Sequence, residues 1–235
     1  GKRESVFIND ERILKKANKK VKISPPEYIS SWTQQHQNNR NHLYHFKSNP
    51  SLKLLKKVKL GDINFKNLQY IPPPVFLENV IYYCDNKFNI YAKSTDTGKV
   101  LWKTKLTLED SENFSFIGGI SLYGESVFIT TGLGNIYKLN KRKGKIIWSK
   151  RFFMQFSRPP LVYKNKVFVI SDDNQVFALN TNSGDKIWSH IGNIEEVSII
   201  GGSKPVIDEE ILVVTYSSGE IFAFNQNDGS IVWFD

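Results

Sequence analysis

Cysteine is nearly absent. The one cysteine in 235 residues, Cys84, excludes an internal disulfide and any metal site built from several thiolates. It lies in "IYYCDN", which does not resemble a lipoprotein cleavage site and reads as a strand holding a buried, unreactive thiol. Long apolar runs are missing too. No stretch of ~18 such residues occurs, so no helix of this sequence would span a bilayer. A phosphate loop is also missing, because "GLGN" (Gly132–Asn135) sits between strands with no helix after it. No serine or cysteine stands at a recognisable spacing from a paired base, so covalent catalysis has no candidate nucleophile. No secretory leader is legible and the first residue is Gly1 rather than Met, which leaves open both a removed leader and a partial sequence.

Acidic residues are scarce in one part only. Residues 1–66 hold 15 Lys/Arg against 5 Asp/Glu, a net of +10, while residues 67–235 hold 17 against 18, a net of −1. The overall charge of +9 is therefore a property of an N-terminal arm. Such an arm suits an anionic membrane surface or an acidic partner, but charge runs more commonly mark a solvated lysine-rich segment, which is the favoured reading. Nucleic acid fits poorly, because "KKANKKVK" (Lys15–Lys22) interleaves no aromatic side chains to stack on bases. Three histidines, His36, His42 and His45, lie in "HQNNRNHLYHF". No carboxylate or cysteine stands near them to complete a tetrahedral metal set. The segment reads as a polar loop packing across the rest of the fold.

What the sequence does have is a repeat. "NIYAKSTDTGKVLW" (Asn89–Trp102) recurs without gaps as "NIYKLNKRKGKIIW" (Asn135–Trp148), "QVFALNTNSGDKIW" (Gln175–Trp188) and "EIFAFNQNDGSIVW" (Glu220–Trp233). The tryptophans are 46, 40 and 45 residues apart, the length of one four-stranded propeller blade. The third copy shows the strands most clearly: "PLVYK" (Pro160–Lys164), "KVFVIS" (Lys166–Ser171), "VFALN" (Val176–Asn180) and "DKIWS" (Asp185–Ser189). Runs this short, rich in β-branched and aromatic residues and punctuated by Asn, Asp and Gly, predict antiparallel hairpins.

Each repeat carries Gly then Trp four residues later: Gly98/Trp102, Gly144/Trp148, Gly184/Trp188 and Gly229/Trp233. The glycine precedes the fourth strand, where a hairpin loop commonly ends in a residue with φ > 0. The fixed interval sets every indole at one point on one strand face. Equivalent rings at equivalent positions predict a repeated packing task, the filling of the wedge between neighbouring blades, rather than a ligand cage. Asp172 and Asp173 sit in a turn and imitate a calcium site, but surface turn acids are far commoner.

"AKSTDTGKVLW" (Ala92–Trp102) resembles the tryptophan-docking motif of the pyrroloquinoline-quinone-like β-propeller repeats, A-x-D-x-x-T-G-x-x-x-W. Ala178–Trp188 and Ala223–Trp233 match similarly, and Lys138–Trp148 has Lys for Ala. The motif's Asp is Ser94, Asn140, Asn180 and Asn225 here, residues that still bond to the turn backbone but carry no charge. Over nearly its whole length the chain is similar to the BamB family of outer-membrane protein assembly factors, including the arm segment "SPPEYISSWTQQHQNNRNHLYHF" (Ser24–Phe46). The resemblance implies a non-enzymatic, cofactor-free scaffold subunit of the β-barrel assembly (BAM) complex. It implies a lipoprotein on the periplasmic face of the outer membrane, held to the inner leaflet by a lipid anchor lying outside these residues. It also implies an eight-bladed propeller docking on the POTRA domains of BamA. By position, Val197, Ser198, Ile199, Ile200 and Gly201 in "SHIGNIEEVSIIGGSKP" (Ser189–Pro205) match the family's partner-binding loop. Ile200 stands where many members have arginine, which points to a more apolar contact. The other reading of this loop is a segment packed beneath the sheet.

The expected fold is thus all-β: four four-stranded antiparallel blades that form part of an eight-bladed ring, with an irregular basic arm at residues 1–50. The propeller is expected over 51–235, with an N-terminal strand at 51–61 and blades at about 72–106, 116–151, 158–190 and 203–235. All four repeats have their own fourth strand, so "SLKLLKKVKLG" (Ser51–Gly61) has no vacancy to fill, and the expectation is the first half of a longer propeller. The alternative function is a quinoprotein-type (PQQ-dependent) dehydrogenase or ligand-binding propeller. A chain with one cysteine cannot supply the adjacent cysteine pair common in those enzymes.

Overall fold

The computed structural model describes residues 22–48, 54, 57–58, 60, 72–107, 116–193 and 203–235. The strand expected over 51–61 lies largely outside the described residues. Among the described residues sixteen strands follow in order. The first sheet comprises β1 (Val75–Leu77), β2 (Val80–Cys84), β3 (Asn89–Ser94) and β4 (Val100–Lys105). The second comprises β5 (Ile117–Tyr123), β6 (Ser126–Thr131), β7 (Asn135–Asn140) and β8 (Ile146–Arg151). The third is β9 (Leu161–Tyr163), β10 (Lys166–Ile170), β11 (Gln175–Asn180) and β12 (Lys186–Ile191), and the fourth is β13 (Val206–Asp208), β14 (Ile211–Thr215), β15 (Ile221–Asn225) and β16 (Ile231–Phe234). Each sheet is a four-stranded antiparallel meander in sequence order. These are four propeller blades.

The period of two explains how the blades stack. Side chains of a strand alternate between faces, and in the middle blades both faces are covered. In β10, Phe168 and Ile170 pack with Leu212, Val214 and Phe224 of the fourth blade. Their neighbours Val167 and Val169 pack the other way, with Phe128 and Ile136 of the second blade. In β6, Val127 and Ile129 join Val75, Tyr82 and Ile90 of the first blade. There are thus three apolar layers between four blades. This is why "KVFVI" is apolar at nearly every position: a strand buried on both faces has no solvent side to mark with polar residues. Cys84 closes β2 as a buried thiol. Burial, and then the neighbouring Asp85, pushes its pKa up to about 12, so it is inert at neutral pH.

The innermost strands are β1, β5, β9 and β13, and residues 32–41 of the arm run across them. Trp32 N–H donates to Phe76 O on β1 (2.8 Å), and Trp32 O accepts from Phe76 N–H (2.7 Å). Thr33 O accepts from Leu122 N–H on β5 (2.7 Å). The Gln34 amide grips Val162 on β9 twice, donating to its carbonyl (2.8 Å) and accepting from its N–H (3.1 Å). Arg40 O accepts from Ile207 N–H on β13 (3.1 Å), and its guanidinium pairs with Asp208 (2.9 Å). One short segment therefore bonds to all four blades. Gln34 is fully buried, and its two bonds satisfy a polar group that would otherwise be costly there.

Candidate functional site

The Gly–Trp pairs are built alike. The glycines Gly98, Gly144, Gly184 and Gly229 have φ of 70, 69, 73 and 75°, the left-handed region that only glycine enters without steric cost. Each donates its N–H to the carbonyl four residues back, at Ser94, Asn140, Asn180 or Asn225 (3.0, 2.9, 2.8 and 2.9 Å). Those same side chains hold the turn from within. Asn140 Oδ1 accepts from the N–H groups of Arg142 and Lys143. Asn180 does the same for Asn182 and Ser183, Asn225 for Asn227, and Ser94 Oγ for Thr97. An amide oxygen does here what a carboxylate does elsewhere in such turns.

Three of the four indoles then meet the following blade. A Cβ on Gly144 would lie 2.5 Å from the Trp102 ring, and one on Gly229 would lie 2.6 Å from Trp188. On Gly184 it would meet Lys150 at 2.9 Å and Trp148 at 3.0 Å. The indole N–H groups donate to carbonyls three residues before those glycines: Trp102 to Lys141 (2.8 Å), Trp148 to Thr181 (3.1 Å) and Trp188 to Gln226 (3.1 Å). Opposite each tryptophan stands Ala92, Lys138, Ala178 or Ala223, immediately before a bulge. Alanine leaves room for the ring. At Lys138 the longer side chain turns outward to the same Thr181 carbonyl (2.9 Å), so the departure from alanine is accommodated.

Two placements differ from the sequence reading. Trp233 is 47% exposed, against 9% for Trp102 and 8% for Trp188. Among the described residues no glycine turn is seated against its ring, and Val206 and Val213, in register with it, are only partly buried. Asp172 is not a surface turn acid. It is buried because the connector between the second and third blades folds over it, with Ser157 donating to it through both its N–H and its Oγ. Burial raises its pKa, while Ser157 and the charge of Arg158 act in the opposite sense. Its second carboxylate oxygen and Arg158 Nε are buried without a partner.

The partner-binding residues expected from the sequence, Val197, Ser198, Ile199, Ile200 and Gly201, lie outside the described residues. Their flanks are placed. Asn193 donates to Glu220 (2.7 Å) and its carbonyl accepts from the buried Asn174 (2.8 Å). Burial and the nearby Arg158 charge depress the pKa of Lys204. This connector leaves the blades at the same end as the β2–β3-type turns, since Asn174 Oδ1 also accepts from Ser217 N–H (3.0 Å) in the next such turn. The arm bonds at the opposite ends, beside the turns that close the innermost hairpins.

His36, His42 and His45 do not converge. His42 packs edge-on to Tyr44 at 5.5 Å, and His45 bonds the Ser24 carbonyl (3.0 Å). Among the described residues no group of three His, Cys, Asp or Glu side chains is placed to hold a metal. The sequence reading missed Gln34. Its partners are backbone groups 128 residues away, and nothing in "WTQQHQNN" distinguishes it from Gln35 or Gln37.

A family model described as outer membrane protein assembly factor BamB matches residues 73–235. An uncharacterized protein of Rickettsia conorii is 26% identical over 213 residues, which is 91% of this chain and 50% of that protein. Outer membrane protein assembly factor BamB of Shewanella oneidensis is 31% identical over 70 residues, 30% of this chain and 16% of that protein. Among solved structures, BamB from Moraxella catarrhalis matches with a TM-score of 0.60 at 24% identity, covering 70% of this chain and 47% of that one. A europium-containing methanol dehydrogenase matches with a TM-score of 0.62 at 16% identity, covering 88% and 49%. At such identities the structural likeness speaks for the fold alone. The chain spans half or less of the length of the relatives it matches.

Proposed function

The chain belongs to the BamB family of outer membrane protein assembly factors, and from that premise we propose that it is a non-enzymatic scaffold of the BAM complex that docks on the POTRA domains of BamA. In this reading the wedge-packed blades form a rigid frame, and the connectors on one face do the recognising, as loops on rigid scaffolds commonly do. Val197, Ser198, Ile199, Ile200 and Gly201 form the contact, which is apolar at Ile200. The protein works at the periplasmic face of the outer membrane, tethered by a lipid on its N-terminal side. Its four blades are half of an eight-bladed ring.

The observation that carries the reading is the path of residues 32–41. They bond to the innermost strand of every blade, so the chain's own backbone lies along the inner strands, where a ligand-binding propeller would need open space. Binding of purified BamA POTRA domains, followed by calorimetry, tests it. Ile199→Asp is expected to weaken binding at least ~10-fold, as removal of a central anchor does, without changing the unfolding temperature. No binding by the unaltered protein would refute the proposal. A quinone absorbance band in the purified protein would favour the alternative, a quinoprotein-type dehydrogenase.

A further inference from the structure

The arm exposes apolar side chains of its own. Outside the arm, one outward apolar residue stands directly before each tryptophan (Leu101, Ile147, Ile187 and Val232); Val100 and Ile191 are exposed on outer strands, Phe153 on a connector, and β16 also exposes Ile231, Trp233 and Phe234. Most are spread around a rim, where scattered exposure is ordinary, and the run on β16 lies at the edge where the proposed ring continues. In the arm, Ile23, Tyr28, Leu43 and Phe46 are 50–78% exposed within two short stretches. These stretches lie side by side. Glu27 N–H donates to His45 O (2.9 Å), Lys47 N–H donates to Glu27 O (2.7 Å), and the His45 ring bonds Ser24 O (3.0 Å). The four side chains therefore project from one pinned ribbon, and the segment between its two stretches is fastened to all four blades.

Charge indicates what covers the ribbon. Lys22 and Lys47 flank it, and the Lys47 ammonium sits 4.9 Å from the Tyr28 ring centroid. The preceding residues 1–21 hold seven Lys/Arg against three Asp/Glu. The repeat region is neutral, so the positive charge is confined to the part of the chain that carries this exposed patch. Aromatic rings with lysine ammonium groups beside them suit the headgroup level of a bilayer, where the ring enters the apolar boundary and the ammonium stays with lipid phosphate. A basic stretch next to such a patch adds attraction to anionic lipid.

We propose that the ribbon formed by residues 22–28 and 43–47 is a membrane-contact surface that rests on anionic lipid headgroups and inserts Ile23, Tyr28, Leu43 and Phe46 at the interface. The proposal rests on the outer-membrane location given above and adds a contact made by the polypeptide itself, distinct from any lipid tether. The segment between its two stretches bonds to the innermost strands, whereas Asn193, which precedes the expected partner-binding residues, bonds to Asn174 in a β2–β3-type turn.

Co-sedimentation of the purified, unlipidated 235-residue protein with phosphatidylethanolamine vesicles, with and without phosphatidylglycerol, tests it. Binding is expected only with phosphatidylglycerol. The double variant Tyr28→Ser/Phe46→Ser should lower the partition coefficient at least ~10-fold, in line with loss of buried apolar area. Lys47→Gln should lower it about fivefold, the share of one basic residue near an anionic surface. Both variants should keep the far-UV spectrum and unfolding temperature of the parent. Three results would overturn it: no binding to anionic vesicles, equal binding by the double variant (which assigns attraction to the basic tail alone), or a self-associated species in solution that the double variant abolishes (which makes the ribbon a contact between copies). POTRA binding measured on the same samples separates the two proposals. Vesicle binding lost with POTRA binding intact sinks this inference alone.

Discussion

In the 235-residue chain, replacing Trp188 with alanine should cost about twice as much as the same change at Trp233, although the two stand in equivalent positions of equivalent repeats. Trp188 is buried against Phe168 and Phe224 (ring centroids 6.0 and 5.7 Å apart), lies on the Gly229 turn and donates to Gln226 O. An indole buries ~150–250 Å², which at ~25 cal/mol per Å² gives about 4–6 kcal/mol as an upper bound. Truncations of large buried aromatics fall at ~3–5 kcal/mol, and that is the expected loss. Trp233 has roughly half its surface in solvent, so the same arithmetic gives about 2–3 kcal/mol as an upper bound. Urea titrations followed by far-UV circular dichroism, with m-values checked for equality, measure both. Equal losses at the two positions, or a larger loss at Trp233, would refute the argument that seating on the next blade, and not membership of the repeat, sets the energetic weight of each indole.

The glycines should follow the same logic. Gly98→Ala meets open space and bears only the left-handed backbone cost of ~1 kcal/mol, whereas Gly144→Ala drives a methyl into the Trp102 ring and should cost ~1–3 kcal/mol more; chemical denaturation of both variants decides. His190 lies among Tyr216, Phe222 and Phe224. Burial depresses its pKa below the usual 6.5, with Glu220 acting in the opposite direction. A depressed histidine makes its full contribution to stability above its unfolded pKa, and that contribution is lost as pH falls through the lower folded value. The unfolding temperature should therefore drop on acidification below about pH 6.5, and His190→Phe should flatten that slope; an unchanged slope would show that another group governs it.

Much of the fold is legible in the sequence because its central device is local. Gly-to-Trp spacing, the Asn or Ser that ties the turn and the alanine opposite the indole all fall within eleven residues, so each copy can be read without knowing its neighbours. What escapes is non-local. Trp233 is written like Trp188, and its exposure depends only on what stands beyond it. Asp172 looks like a turn acid until the Ser157 connector covers it. The path of residues 32–41 is invisible because its partners on the blades are mostly backbone N–H and C=O groups, which nearly every residue carries. The candidate partner loop is legible only through its likeness to relatives, since apolar side chains in a connector do not say whether they face a sheet or another protein.

The bonding of residues 32–41 has a mechanical consequence. A strand held at one sheet edge unzips when its end is pulled, one bond at a time. A cord fastened to every blade in turn, at Phe76, Leu122, Val162 and Ile207, spreads tension on the N-terminus over the whole arc, so the blades resist as one body and no single sheet is peeled away.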